Sequence, residues 1–135
     1  MATIPWRSLR RPVPEHEYVV VATEATLARY RTIPRFLVAT RRVIRQLRRS
    51  QGAVGFSLRG SLWKRKFSTV SAWTGDAPIA SFSTRAPHRD AAMAFDGLYA
   101  GRMTRWTATG RSLPPNWREV SRRLAESPVL LEVAR

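Results

Sequence analysis

Apolar side chains recur along the chain at two spacings, and these predict the elements. Tyr18 to Ala25 (YVVVATEA) is short and rich in β-branched residues, the mark of a buried strand. After a connection over 27–33, Pro34 suits the first turn of a helix. Arg35 to Arg49 then repeats apolar positions at helical spacing: Phe36, Leu37, Val43, Ile44 and Leu47. Arg41, Arg42, Arg45, Arg48 and Arg49 fill the rest, and Ser50-Gln51-Gly52 ends the helix.

Ala53 to Leu62 alternates Val54, Phe56 and Leu58 with small or polar residues, so it predicts a strand. Lys64 to Trp73 predicts another, with Gly60-Ser61 and the nearby Leu62-Trp63 as the hairpin turn. Gly75-Asp76 opens a short helix carrying Ile79 and Phe82. Pro87 starts a further helix from His88 to about Leu98. Gly101 to Gly110 is the fourth strand, Leu113-Pro114-Pro115 a break, and Asn116 the cap of a polar helix to Ala125.

This order, βαββαβ plus a helix, predicts an α+β ferredoxin-like fold. Residues 1–16, with three prolines, are expected as an irregular leader. Residues 17–126 are the domain, and 127–135 a tail whose Val129, Leu130 and Leu131 pack on something. Two helices cover one sheet face. The strands are bulky on both sides, so the other face must also be buried, and pairing two sheets in a homodimer would do it.

Composition narrows the chemistry. The chain has 135 residues, 44% hydrophobic and 24% charged, which suits one globular domain with a real core. It has no cysteine, which excludes disulfides, thiolate metal sites and a cysteine nucleophile. Two histidines, His16 and His88, cannot form an all-histidine cage within one chain. The first 14 residues carry Arg10-Arg11 without a following apolar run, and no stretch reaches the ~18 apolar residues of a membrane span. A cytoplasmic protein is expected.

The net charge is +15, from 24 basic and 9 acidic residues. All but Lys64 and Lys66 of the basic residues are arginine. GC-rich coding alone produces that bias, and the charge then forms a solvated surface. The alternative is a polyanion partner: Arg35, Arg42, Arg45 and Arg49 make a stripe that could lie on phosphates or an anionic membrane. Nucleic acid is disfavoured, because no helix-turn-helix, zinc-finger or aromatic RNA-binding signature is present.

Ala72-Trp73-Thr74-Gly75-Asp76-Ala77-Pro78-Ile79-Ala80-Ser81-Phe82 resembles the W-x-[sde]-x-x-[ai]-[lmi]-x-x-[FW] segment of the dimeric α/β-barrel, antibiotic-biosynthesis-monooxygenase-like superfamily. Ala86-Pro87-His88-Arg89-Asp90-Ala91-Ala92-Met93 resembles a segment of its spheroidene monooxygenase-like branch. The helix from Pro34, followed by Gly52-Ala53-Val54-Gly55-Phe56, is similar to that branch's first helix and the glycines opening its second strand. The resemblance spans about residues 17–110. It implies a homodimeric barrel with a pocket between sheet and helices for a hydrophobic or aromatic small molecule. It also implies monooxygenase-like chemistry, with haem in the carotenoid-oxidising branch. Phe82 stands where the haem-degrading branch commonly has tryptophan, and no histidine follows at that branch's spacing, so haem degradation is not expected.

His88 is the candidate catalytic residue. A helix N-terminus, which Pro87 suggests here, disfavours a protonated imidazole, and a neutral one can act as a base or as a ligand to haem iron. A packing or capping histidine is the competing reading. Trp73 and Trp106 lie in predicted strands and would suit walls for a planar ligand, or core anchors. Arg105 and Arg59 are also on strands, and an inward arginine would hold a carboxylate or haem propionate. The cofactor reading is therefore haem on His88 with Arg105, Trp73 and Trp106, or no cofactor. The competing class is a non-catalytic ligand-binding barrel or a basic surface for an anionic membrane or nucleic acid.

Overall fold

The computed structural model describes residues 2–84, 98–127 and 129–132. Its elements are β1 (Ala2–Ser8), β2 (Glu17–Leu27), α1 (Ile33–Arg48), β3 (Ala53–Ser61), β4 (Lys66–Trp73), α2 (Asp76–Thr84), β5 (Leu98–Thr109), α3 (Trp117–Glu126) and β6 (Val129–Glu132). The strands form one sheet in the order β1-β3-β4-β2-β5-β6, every pair antiparallel. The middle four, β3-β4-β2-β5, have the ferredoxin-like order, as expected. The helix predicted from His88 lies outside the described residues.

The two ends differ from expectation. Ala2–Ser8, read as irregular because of its prolines, is an edge strand on β3. An edge tolerates proline, and the register shifts between Ile4 and Arg7, around Pro5, which has no N–H to donate. In the tail, Val129–Glu132 pairs with β5. The β3–β4 turn falls at 62–65, so Leu62-Trp63 lie in it but Gly60-Ser61 belong to the strand. Gly60 lies inside β3 opposite Phe67, and a Cβ there would stand 2.6 Å from the Phe67 ring, so glycine serves close approach rather than turning. The left-handed turn residue is Arg65, at φ 55°. Its Nε donates to the Leu27 carbonyl at 3.0 Å and its guanidinium lies 4.6 Å from the Tyr30 ring centre, which ties the turn to the end of β2.

The sheet has two buried faces. On one, Phe56, Trp73 and Val21 pack with Ile44 and Leu47 of α1 and Ile79 and Phe82 of α2. On the other, Val20, Ala22, Val70 and Ala72 pack against Val120 and Leu124 of α3, with Trp6, Trp106 and Trp117 around them. Within a single chain Val20, Ala22 and Ala72 have no exposure at all. The face assigned above to a homodimer is thus buried by the chain's own helix.

Asn116 caps α3 as its sequence implies: its side chain accepts from the N–H groups of Arg118 at 2.7 Å and Glu119 at 3.2 Å. At the other end, Arg102 on β5 donates from Nη1 to the carbonyls of Ala125 at 3.1 Å and Leu124 at 3.3 Å. A cation there also meets the negative end of the helix dipole. Arg123 lays its guanidinium 4.6 Å from the Trp106 ring centre.

Leu124→Ala is expected to lower stability by about 2–5 kcal/mol, through lost burial and a cavity under α3. Asn116→Ala should cost about 1 kcal/mol. Denaturant unfolding of both variants checks the order of these effects.

Candidate functional site

Register places the candidate residues. In antiparallel pairs, opposed residues share a face and neighbours along a strand alternate. The face under α1 and α2 carries three successive rows across β4, β2 and β5: Thr69–Thr23–Met103, Ser71–Val21–Arg105 and Trp73–Val19–Thr107. Thr23, Thr69 and Ser71 are half-buried. The Thr23 and Thr69 hydroxyls hydrogen-bond each other across the strands, and Ser71 Oγ accepts from the Trp73 indole N–H at 2.8 Å. Aromatic rings flank these hydroxyls. Phe36 of α1 lies 4.9 Å from Phe67, and Phe82 of α2 lies 5.1 Å from Trp73, both pairs tilted. The face thus carries paired hydroxyls between two aromatic pairs, with Arg105 in the same rows.

The expected site residues divide between the two faces. Trp106 stands opposite Val20 and Trp73 opposite Val19, adjacent positions on β2, so the two indoles are on opposite sides of the sheet. Trp73 is 2% exposed, a core residue. Trp106 is half-buried beside α3. Arg105 shares the Trp73 face, but its guanidinium is half-exposed and bonded to the Asp76 carboxylate in the first turn of α2. Arg59 lies on the α3 face with its guanidinium 5.8 Å from the Trp117 ring centre. His88 lies outside the described residues.

Haem does not fit these residues as described. Arg105 is already matched by a carboxylate, and Trp106 cannot share a cradle with Trp73 through the sheet. Among the described residues no three His, Cys, Asp or Glu side chains gather as a metal site. Again among the described residues, no helix is long and apolar enough to cross a membrane.

Sequence reasoning missed the hydroxyl pair, although its signal was present. Thr23 interrupts the apolar run of one predicted strand, and Thr69 lies in a second strand that mixes apolar and hydroxyl residues. Only the register brings them opposite each other.

No protein-family model matches the chain, and no curated protein matches it. Solved structures do. An antibiotic biosynthesis monooxygenase is similar at TM-score 0.61 and 12% identity, covering 67% of this chain and 98% of that one. SnoaB, a cofactor-independent oxygenase from Streptomyces nogalater, is similar at TM-score 0.52 and 17% identity, covering 75% of this chain and 99% of that one. A conserved protein from Methanosarcina mazei Go1 is similar at TM-score 0.59 and 6% identity, covering 66% and 90%. The chain therefore has the antibiotic-biosynthesis-monooxygenase-like fold, an α+β ferredoxin-like sheet. Identities this low show the fold, and function is argued from the residues.

The Arg105–Asp76 pair is exposed on both sides, so a double-mutant cycle should give less than about 1 kcal/mol of coupling. A larger coupling in denaturant unfolding would make the pair a structural clamp between β5 and α2.

Proposed function

We propose that the protein is a monooxygenase-like enzyme that holds an electron-rich hydrophobic or aromatic small molecule between the sheet and its helices, without a cofactor. The observation that carries this reading is the set of half-buried hydroxyls, Thr23, Thr69 and Ser71, on the aromatic-lined face under α1 and α2. The fold likeness to a cofactor-independent oxygenase supports it.

The chemistry asks little of the protein. An acidic methylene flanked by aromatic rings loses a proton to a base and becomes electron-rich. The substrate then supplies all four electrons that reduce dioxygen: its two C–H bonds break, one oxygen atom enters it as a carbonyl, and the other leaves with the two protons as water. The Thr23–Thr69 hydroxyls would hold the substrate oxygen that carries the negative charge, where a dry site strengthens the hydrogen bond. His88 is the proposed base, from its position at the start of the helix that the sequence predicts after Pro87. The homodimer implied by the sequence resemblance remains part of the proposal, through a surface that leaves α3 in place.

Oxygen consumption with anthrone, a weakly acidic polycyclic ketone, tests the reading. The wild type should consume oxygen, and His88→Ala should slow it by about 10²–10⁴-fold. Thr69→Val should raise KM or lower kcat while the fold persists by circular dichroism. Binding of anthrone without oxygen uptake would make this a ligand-binding module instead. A Soret band after expression with haem precursor would overturn the cofactor-free mechanism, and full activity in His88→Ala would remove the base.

A further inference from the structure

A cleft of about 960 Å³ opens to solvent between the C-terminal half of α1 and α2. Its spacing is fixed at two points. Gly52, at φ 83°, lies so close to α2 that a Cβ would stand 2.6 Å from Pro78 Cβ and 2.8 Å from Thr74 Oγ1. Deeper in, Gln46 Nε2 donates to the Phe82 carbonyl at 2.8 Å. The two helices are therefore held apart by contacts that do not fill the space between them.

Three arginines line one wall: Arg42, Arg45 and Arg49. Spaced by three and four residues, they share one stripe of α1. All three are exposed, and among the described residues none makes an ion pair. Among the described residues, no acidic residue lines the cleft. Like charges at this spacing repel one another. The helix dipole favours cations in the last turn, which accounts for Arg45; Arg42 lies before that turn. The opposite wall is Ala77, Pro78, Ser81 and Phe82. Guanidinium forks on one side and a mostly apolar, partly aromatic wall on the other match an anion carried on a flat apolar body.

We propose that this cleft binds a soluble aromatic anion, a carboxylate or phosphate monoester, with its charge on Arg42, Arg45 and Arg49 and its ring against Pro78 and Phe82. The site does not depend on the oxygenase reading. Phe82 packs on Trp73 beneath it and stands between the cleft and the sheet-face core.

Fluorescence titration with 1-naphthyl phosphate tests the proposal, with 1-naphthol, inorganic phosphate and anionic phosphatidylglycerol vesicles as separate arms. The wild type should bind 1-naphthyl phosphate more tightly than either fragment, and binding should weaken as salt rises. Arg42→Gln/Arg45→Gln should weaken it roughly tenfold or more. Arg10→Gln/Arg11→Gln, which removes the same charge from exposed positions in the leader, should leave it little changed. Ala77→Trp, which fills the cleft and keeps the charge, should also weaken it. Equal losses in the two double variants would reduce the effect to net charge and overturn the site. So would 1-naphthol binding as tightly as its phosphate, no binding of 1-naphthyl phosphate by the wild type, or binding seen only on vesicles.

Discussion

The central strand β2 is apolar on both faces, and the rest of the protein is arranged to cover it. Val19 and Val21 point one way, Val20 and Ala22 the other, and no surface of this strand can face water without losing burial on one side. The βαββαβ connection supplies helices to one face only, because both crossovers return on the same side. The other face needs something else. Here α3 provides it, anchored by Val120 and Leu124 and capped by Asn116 at one end and Arg102 at the other.

That arrangement divides the functional surface. Side chains on the α3 face, including Trp106 and Arg59, are occupied with holding α3. The α1/α2 face keeps hydroxyls among its aromatics, and their burial is compensated by pairing: Thr23 with Thr69 across the strands, and Ser71 with the Trp73 indole. The proposed ligand site follows from this asymmetry rather than from any single residue.

The arginines divide by the same logic. Arg102 closes a helix end, Arg65 stacks on Tyr30 at a turn, Arg123 covers Trp106, and Arg105 meets Asp76. These cations complete the fold, using long side chains that bury a stem and place the charge at the surface. The stripe on α1 has no such employment among the described residues, which sets it apart from the general basic character of the chain.

Much of the fold was legible in the sequence. The β-branched run of β2, the helical spacing through Leu47, the Gly52 stop and the Asn116 cap each express a local rule: strand burial, helix periodicity, the left-handed backbone and the N-cap hydrogen bond. The edge strands were not legible. Ala2–Ser8 and Val129–Glu132 have too little local pattern to declare themselves, and they form because partner strands offer unpaired N–H and C=O groups. The site was legible only in part. Sequence spacing nominated Trp73, Trp106 and Arg105 together, but a one-residue difference in pairing on β2 sends Trp73 and Trp106 to opposite faces. The sequence by itself determined the four inner strands and the helices among the described residues, because those depend on near neighbours. Only the tertiary structure decided that α3 closes the second face, that Thr23 meets Thr69, and that three arginines overlook a cleft. Each of these depends on residues distant in the chain, brought together by register and packing.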